Sequence, residues 1–349
     1  MKLSRLKFEA WIRCYCYNNA YILFIKRKWR RWSNILIALS APYILLRWAI
    51  FSLYEVLVGK NIVARIMRND NRRQFRHEIA MVSISKNEAP YIKEWIEFHK
   101  CVGFTKFYFY DNESEDNTYE VLKPYISSGI VEYTFIKGKG KQLYAYNDAI
   151  EKHKDECRWM AFLDMDEYLM PTEPFKSISK IVTELIGMAG KGAAGVGVNW
   201  CIYGSSHLEK KPEGLISENF INRGTEKDWG NFHIKTICNP RLVKNYISPH
   251  YPIYRLGGYS INDSDGKRLW GWFCHDVKWQ NLRINHYYCK SKEQYIQKVS
   301  RGFGDRTGEY DMKQFNDYDL NEIKDEVMNI YIEKIKTKVY ENSFLAKLP

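Results

Sequence analysis

From residue 79 onwards, short apolar runs alternate with longer stretches in which apolar residues recur every three or four positions. The short runs are typical of buried strands, and the longer spacing is typical of helices that pack one face on a core. The pattern predicts strands at 79–85, 106–111, 131–136, 159–164 and 194–200, and helices at 90–103, 115–127 and 141–154. This alternation predicts an α/β domain with a single, mostly parallel, twisted sheet flanked by helices.

Polar residues directly follow three of these predicted strands. In open α/β sheets, ligands bind outside the carboxyl ends of the strands. We therefore expect one ligand site, lined by the residues at these three strand ends: Asn87 and Glu88, Asp111 and Asn112, and Asp164 and Asp166.

Two aspartates end the apolar run of the fourth predicted strand, in the stretch WMAFLDMDEYLMP (159–171). In an extended chain Asp164 and Asp166 share a face, with Cα atoms roughly 6–7 Å apart. Carboxylates that close raise each other's pKa unless a cation lies between them. Oxygen-rich sites suit Mn²⁺ or Mg²⁺, and such an ion can bridge a diphosphate. The structural alternative is that Asp164 caps the following turn and Asp166 is a solvated loop residue.

The sequence lacks the common nucleotide-binding loops. No G-x-x-x-x-G-K-[ST] motif is present, and no G-x-G-x-x-G follows the first predicted strand. Most ATPases, kinases and dinucleotide oxidoreductases are thereby excluded. Two other classes stay open: a nucleotidyltransferase or phosphate-ester hydrolase that uses the same two aspartates, and a non-catalytic membrane-associated scaffold.

Positive charge is concentrated at the N-terminus. The chain carries 53 Lys+Arg and 41 Asp+Glu, of which residues 1–76 hold 16 and 3. The remaining 273 residues are close to neutral, so we expect no nucleic-acid partner. The basic segment instead favours contact with an anionic membrane surface.

Residues 32–59 are apolar and aromatic, and the basic run KRKWRR precedes them. The longest charge-free run, Trp32 to Leu46, is 15 residues, shorter than the ~20 that a spanning helix needs, and Pro42 interrupts it. We therefore expect peripheral attachment at the cytoplasmic face of a membrane. A single span, or a helical hairpin packed on the catalytic body, remains an alternative.

At this point the motifs resemble a known family. They are SKNEAPYIKEWIEFHKCVGFTKFYFYDNESEDNT, AYNDAI, WMAFLDMDEYLMP, NWCIYGSSHLEKKPEGLISENFINR, KTICNPRLVKNYISPHYP and INHYYCKSKEQYIQKVSRG. Together they resemble the nucleotide-sugar-binding half of GT-A glycosyltransferases, and more narrowly glycosyltransferase family 92 and related family-2-like bacterial enzymes. The resemblance covers roughly residues 79–302 and implies a GT-A fold.

The resemblance also implies roles for individual residues. Asn87 and Glu88 would face the nucleoside, and Asp111 with Asn112 would meet uracil or ribose. Asp164 and Asp166 would hold Mn²⁺ (or Mg²⁺), and His286 would complete the metal site. The cations that stand near these later motifs, of which one or two would meet the diphosphate, are Lys235, Arg241, Lys290 and Lys292.

The implied reaction is the inverting transfer of a sugar, best matched by galactose, from a UDP-sugar to a glycan or lipid-linked glycan. Surface polysaccharide or lipopolysaccharide synthesis is the expected setting. Inversion needs a general base near the acceptor hydroxyl. Glu218 is the preferred candidate, with Glu213, Asp228 and His207 as alternatives. Trp200, Tyr203 and His207 are candidates for a platform under the acceptor sugar.

Three segments are predicted along the chain. Residues 1–76 form the basic, partly apolar helical segment, 77–310 the glycosyltransferase domain, and 311–349 a C-terminal helical segment. Within the last segment, the stretch 319–349 has apolar residues at steps of three and four, which predicts one helix that docks on the domain.

Overall fold

The computed structural model describes residues 21–22, 24–26, 28–301 and 312–345. The helices, numbered along the chain, are α1 (Ser33–Leu39), α2 (Ala41–Tyr54), α3 (Lys60–Asp70), α4 (Ala89–Cys101), α5 (Thr118–Ser127), α6 (Gln142–His153), α7 (Ile178–Met188), α8 (Ile216–Asn219), α9 (Lys292–Arg301), α10 (Met312–Tyr318) and α11 (Asn329–Leu345). A π-helical turn, Glu55–Gly59, joins α2 to α3.

The strands are β1 (His77–Ser85), β2 (Lys106–Asp111), β3 (Val131–Phe135), β4 (Cys157–Phe162), β5 (Glu167–Pro171), β6 (Ala193–Ile202), β7 (Asn222–Arg223), β8 (Ile234–Cys238), β9 (Val243–Tyr246), β10 (Pro252–Tyr254), β11 (Tyr259–Asn262), β12 (Leu282–His286) and β13 (Ile323–Lys324). The main sheet has the order β3-β2-β1-β4-β8-β6-β12-β5, and β11 also pairs with β6. Strands β3, β2, β1 and β4 are mutually parallel, whereas β8 is antiparallel to both of its neighbours.

The βαβ half of the prediction is confirmed. Strands β1 to β4 and helices α4 to α6 occur in the predicted order, with ends within about three residues of the prediction. Gly103 ends the α4 region with a φ of +105°, a conformation that favours glycine. The sheet strands β5, β8, β11 and β12 were not predicted, because each is a run of only four or five residues without a clear period.

The sheet is buried on both faces, which explains its continuous apolar runs. On one face, Met81 of β1 packs in a cluster with Trp95 and Phe98 of α4. On the other face, Val82 packs in a cluster with Tyr146 of α6. Successive residues of one strand therefore serve two separate cores, and the parallel half of the sheet is fixed between two helical layers.

From Ser33 to Asp70 the chain is almost entirely helical. Helix α2, the π-helical turn and α3 form one continuous helix, Ala41–Asp70. Of the described residues, it is the one helix long and apolar enough to cross a membrane, and 11% of its most apolar window is buried. Its last residue, Asp70, pairs with Arg241 (Nη2–Oδ2 3.0 Å), which fastens the end of the helix to the domain.

The predicted single C-terminal helix is wrong over its first part. The structure has α10, then the short strand β13 paired with β7, and only then α11. The interruption has a clear cause, because Asp325 is held by the guanidinium groups of two arginines. Arg223 Nε lies 2.6 Å and Arg283 Nη1 2.9 Å from its Oδ2 atom. The domain boundaries themselves stay a prediction.

Candidate active site

Asp164 lies on the loop that follows β4, at the carboxyl edge of the parallel strands. Gln142 Nε2, at the first residue of α6, donates to its Oδ1 atom (2.5 Å). Lys235 Nζ of β8 donates to its Oδ2 atom (2.9 Å). Helix and sheet thus both position this carboxylate, whose side chain is still 36% exposed and open to a ligand.

Lys235 is completely buried between Asp164 and Glu167, the first residue of β5. Its Nζ atom is 3.4 Å from Oε2 of Glu167. Burial alone would lower the pKa of Lys235, but the carboxylates of Asp164 and Glu167 together outweigh burial and hold that pKa well above its usual value. Burial raises the pKa of Glu167. Glu167 also accepts a hydrogen bond from the Asp164 N–H (3.0 Å), so it shapes the loop, and Lys235 provides fixed positive charge beside it.

Asp166 contacts side chains from the C-terminal part of the domain. Its Oδ2 atom accepts a hydrogen bond from Lys298 Nζ of α9 (2.8 Å), and its Oδ1 atom lies 3.5 Å from Nε2 of His286, the last residue of β12. Burial, the largest single influence, would raise the pKa of Asp166, but the contacts with Lys298, His286 and Lys290 together outweigh it and hold the pKa well below its usual value. Asp166 is therefore a buried carboxylate that stays ionised.

Three histidines surround the indole of Trp200, the eighth residue of β6. The ring of His233 stacks on it (4.8 Å between centroids), while His250 (5.2 Å) and His286 (4.3 Å) approach edge to face. Burial lowers the pKa of all three imidazoles. The cluster is therefore a neutral aromatic wall beside Asp166.

The ends of β1 and β2 form a second part of the site. Asn87 has a φ of +54°, and its Oδ1 atom accepts a hydrogen bond from Glu115 N (2.8 Å). Asp111 is buried and accepts from Tyr133 Oη (2.7 Å) and from Ser114 N (2.9 Å). Asn112 donates to Gly138 O (3.0 Å). The loops after these strands are thus tied together.

Glu88 is linked to the loop after β12. Its Oε2 atom is 3.7 Å from Nζ of Lys290. The same ammonium lies 4.1 Å from the ring centroid of Tyr91 on α4. Lys290 therefore joins the end of β1 to the segment after His286. This contact places a buried cation among the residues predicted to hold the donor.

The predicted metal ligands are partly brought together. Asp166 and His286 are neighbours, and the contacts of Asp164 run to Lys235, Gln142 and Glu167 instead. Within the described ranges, no group of three His, Cys, Asp or Glu side chains is arranged as a metal centre. The side chains themselves nevertheless suit Mn²⁺ or Mg²⁺, because two carboxylates and a neutral imidazole are ligands of the kind these ions take. Two buried polar atoms nearby, Nδ1 of His286 and Oε1 of Glu167, have no hydrogen-bond partner in the described part of the chain. Each of them could therefore form one more bond to a ligand.

The base candidates lie in different places. Glu218 on α8 accepts a hydrogen bond from Lys336 Nζ of α11 (2.5 Å). Asp228 directly precedes the turn Trp229–Phe232 and accepts a hydrogen bond from Thr225 Oγ1 (2.9 Å), and Trp229 packs on His233. Glu213 and His207 are exposed. The choice among the four stays a prediction.

The contacts and burial of four other residues from the sequence analysis bear on their predicted roles. Arg241 is engaged by Asp70, and Lys292 is exposed and pairs with Glu209 (3.3 Å). Tyr203 is buried and accepts a hydrogen bond from Arg283 Nη2 (3.0 Å), so it packs in the core and offers no sugar-binding face. Trp200 keeps only 7% of its surface exposed, and the ring needs access from one edge if a sugar is to reach it.

Two residues at the site were missed from the sequence. Lys298 contacts Asp166, but its spacing from the aspartates, over 130 positions, gives no local signal. Gln142 contacts Asp164 and stands at the start of a predicted helix, where a side chain at the carboxyl edge of a sheet is expected. The second could have been found from topology, and the first only from the folded chain.

The sheet order and the helical layers on its two faces confirm the predicted fold class, a mostly parallel twisted sheet flanked by helices. The sequence model of glycosyltransferase family 92 matches residues 80–335. The chain therefore belongs to glycosyltransferase family 92, as the resemblance implied.

Individual relatives match over shorter stretches. A family 92 protein of Arabidopsis thaliana is 29% identical over 112 residues, which cover 31% of this chain and 19% of the relative. A galactan beta-1,4-galactosyltransferase of the same plant is 28% identical over 115 residues, covering 30% of this chain and 22% of the relative. The matched stretches thus span about a fifth of the curated relatives' length.

Solved structures resemble the chain distantly. S. aureus TarS (residues 1–349, in complex with UDP) is 14% identical over 47% of both chains, with a TM-score of 0.32. Glucosyl-3-phosphoglycerate synthase from Mycobacterium tuberculosis, in complex with Mn²⁺, UDP-glucose and phosphoglyceric acid, is 19% identical over 38% of this chain and 46% of its own, with a TM-score of 0.25.

Proposed function

We propose that the protein is a metal-dependent inverting glycosyltransferase that transfers a sugar from a UDP-sugar to a glycan or lipid-linked glycan. The observation that carries this proposal is the pair Asp164 and Asp166, which stand at the carboxyl edge of the sheet with a cationic side chain on each. Galactose is the favoured sugar, because one relative is named a galactan galactosyltransferase.

The donor would lie across the ends of β1, β2 and β4. Asn87 and Glu88 would face the nucleoside, and Asp111 with Asn112 would contact uracil or ribose. The buried cations Lys235 and Lys290 would attract the diphosphate, because the low dielectric of a buried site strengthens charge–charge attraction. Fixed charges of this kind need no reorganisation when the leaving group becomes negative.

The metal, Mn²⁺ or Mg²⁺, would be held by Asp164, Asp166 and His286. When bound, it neutralises the charge that develops on the departing diphosphate. Burial keeps the imidazole of His286 neutral, as a ligand must be. Lys298 keeps Asp166 ionised before the metal arrives.

The acceptor hydroxyl would be activated by a general base, with Glu218 the preferred residue and Glu213, Asp228 and His207 as alternatives. Trp200 offers an aromatic edge on the acceptor side.

The enzyme would be attached to the cytoplasmic face of a membrane through residues 1–76. There it would take part in surface polysaccharide or lipopolysaccharide synthesis. The exposed apolar residues of α2, such as Leu46, Ile50 and Leu53, support this placement.

A screen of UDP-sugars with Mn²⁺ tests the proposal, with release of free sugar and transfer to added glycans as two readouts. We expect the wild type to consume one UDP-sugar and Asp166→Ala to lose this activity. Asp155→Asn removes an exposed carboxylate, 65% of whose side chain is accessible, and serves as the control. Sugar release that survives in Asp166→Ala would refute the metal assignment, and phosphate release without sugar release would indicate a hydrolase.

A further inference from the structure

A cavity of about 440 Å³ lies where the long N-terminal helix meets the domain. Arg47 and Phe51 of α2 line one side. Lys244 of β9, Arg255, Arg268 and Trp270 line the other. This cavity belongs to neither the carboxyl edge of the sheet nor the Trp200 cluster, so the transfer reaction leaves it unexplained.

The lining is strongly cationic. It contains four basic side chains and, among the described residues, no acidic one. Arg268 pairs with Glu55, which lies outside the lining, and its guanidinium lies 3.9 Å from the ring centroid of Trp270. Within the described part of the chain, Arg47, Lys244 and Arg255 form no ion pair with a carboxylate. The guanidinium of Arg47 lies over the rings of Tyr43 and Phe51. The cavity therefore has spare positive charge.

The cavity is continuous with an apolar surface. On α2 and the following turn, the exposed large aliphatic side chains include Leu45, Leu46, Ile50, Leu53, Val56 and Leu57. The helix is seated closely on the domain at this point, because Gly59 faces the Leu256 carbonyl and Gly257 faces the Glu55 side chain with no room for a Cβ atom. A cationic recess at the foot of an apolar helix combines two requirements of a lipid site, a headgroup pocket and a surface for the chains.

We propose that this cavity binds the phosphate headgroup of a membrane lipid that carries a phosphomonoester or a diphosphate. One guanidinium group can bind two phosphate oxygens at once. The cavity has three such groups, on Arg47, Arg255 and Arg268. A zwitterionic headgroup is disfavoured, because its ammonium group would lie among four cations. The lipid chains run along the exposed side of α2. The inference rests on the proposed membrane placement of residues 1–76 and is independent of the transfer reaction.

Binding of short-chain lipids to the full chain in detergent micelles tests this inference. Calorimetric titrations compare dioctanoyl phosphatidate, dioctanoyl phosphatidylglycerol and glycerol 3-phosphate. The pocket variant is Lys244→Gln/Arg255→Gln, whose two residues are exposed. The matched control is Arg65→Gln/Arg68→Gln, which removes the same charge from exposed positions of α3 outside the cavity. Thermal unfolding of both variants checks that the fold is intact.

We expect the wild type and the control to bind phosphatidate at least about fivefold more tightly than phosphatidylglycerol, because the monoester carries the greater charge. The pocket variant should lose this preference. Equal affinity for the two lipids in the wild type, or a preference that survives in the pocket variant, would overturn the proposal. Equally tight binding of glycerol 3-phosphate would also overturn it, because the site would then take a soluble phosphate. Turnover of UDP-sugar in the same preparations reports separately on the transferase.

Discussion

The Nζ atom of Lys298 lies 2.8 Å from Oδ2 of Asp166, so helix α9 is fastened directly to the loop that follows β4. We predict that Lys298→Met lowers the free energy of unfolding in the absence of metal by about 3–5 kcal/mol, because a buried carboxylate loses its main cation. Added Mn²⁺ should stabilise this variant more than the wild type, since the ion can take over the lost charge. Thermal unfolding with and without Mn²⁺ measures both effects.

Lys292→Met is the control for this prediction. Lys292 belongs to the same helix, but it is exposed and pairs with a mostly exposed Glu209. Exposed pairs contribute about 0–1 kcal/mol, so the control should unfold close to the wild-type midpoint. Equal destabilisation by the two substitutions would show that the contact with Asp166 does not hold α9 in place.

Glu218 is the preferred base, and its partner Lys336 supplies a sharp control. Glu218→Gln should lower sugar transfer by about 10²–10⁴-fold, the usual contribution of a positioned base, and leave UDP affinity unchanged. Lys336→Gln breaks the same ion pair but keeps the carboxylate, so it should retain most of the transfer activity. Single-turnover transfer rates and UDP titrations distinguish the two.

Two outcomes would show that Glu218 is not the general base. If Lys336→Gln loses as much transfer activity as Glu218→Gln, Glu218 acts by holding α11 and is not the base. If Asp228→Asn loses transfer while Glu218→Gln retains it, the base lies beside Trp229 and His233. Both outcomes would contradict the assignment.

Asp325 should contribute stability that depends on pH. Burial would raise its pKa, but Arg283 and Arg223 together outweigh burial and lower the pKa from 3.8 to about 2. Because the folded pKa is the lower one, the contribution is fully present above about pH 4 and is lost as the pH falls towards 2. Asp325→Asn should therefore be less stable than the wild type at pH 6, and the difference should shrink at pH 3.

Urea unfolding at the two pH values measures this difference. Asp155→Asn, which changes an exposed carboxylate, should differ little from the wild type at both. A difference between Asp325→Asn and the wild type that stays constant from pH 6 to pH 3 would mean that the ionisation of Asp325 is not what stabilises the fold.

Gly257 should allow the N-terminal helix to pack closely on the domain. It has a φ of +70°, and a Cβ atom there would clash with the side chain of Glu55. Gly266 has a φ of +67° but open space around it, so Gly266→Ala carries the backbone strain alone. We expect Gly257→Ala to be less stable than Gly266→Ala by about 1–3 kcal/mol, the usual cost of overpacking. Unfolding by urea and proteolysis near residue 55 measure it, and equal effects would place the helix away from Gly257.

The sequence predicted the parallel half of the fold because each element there carries its own signal. Strand β2 was predicted at its observed bounds, since KFYFYD is a short buried run between two helical patterns. The antiparallel strand β8 was missed, because its residues IKTIC include Lys235 and Thr236, which are polar and yet buried by tertiary contacts. The C-terminal helix was extended too far, since the apolar spacing continues through Ile323 although Asp325 is held by two arginines.

The site was predictable to the extent that topology fixes it. Asp111, Asp164 and Asp166 were predicted to line one site because parallel strands end at one edge of the sheet, and their role in that site stays a prediction. The contact of Asp166 with His286 followed from the family pattern and is present at 3.5 Å. The cations that compensate the two aspartates depend on side-chain placement across distant segments, and of the two, only Lys235 was suggested from the sequence.

Calorimetric titration of UDP into the full chain tests the central claim most directly, which is that Asp164 and Asp166 hold the donor diphosphate through a divalent ion. We predict that Mn²⁺ tightens UDP binding by at least about tenfold over a chelator-treated sample, a coupling of about 1.4 kcal/mol. Asp166→Asn should abolish this gain, and Asp155→Asn should keep it. UDP affinity that is independent of Mn²⁺, or a gain that survives in Asp166→Asn, would contradict the claim.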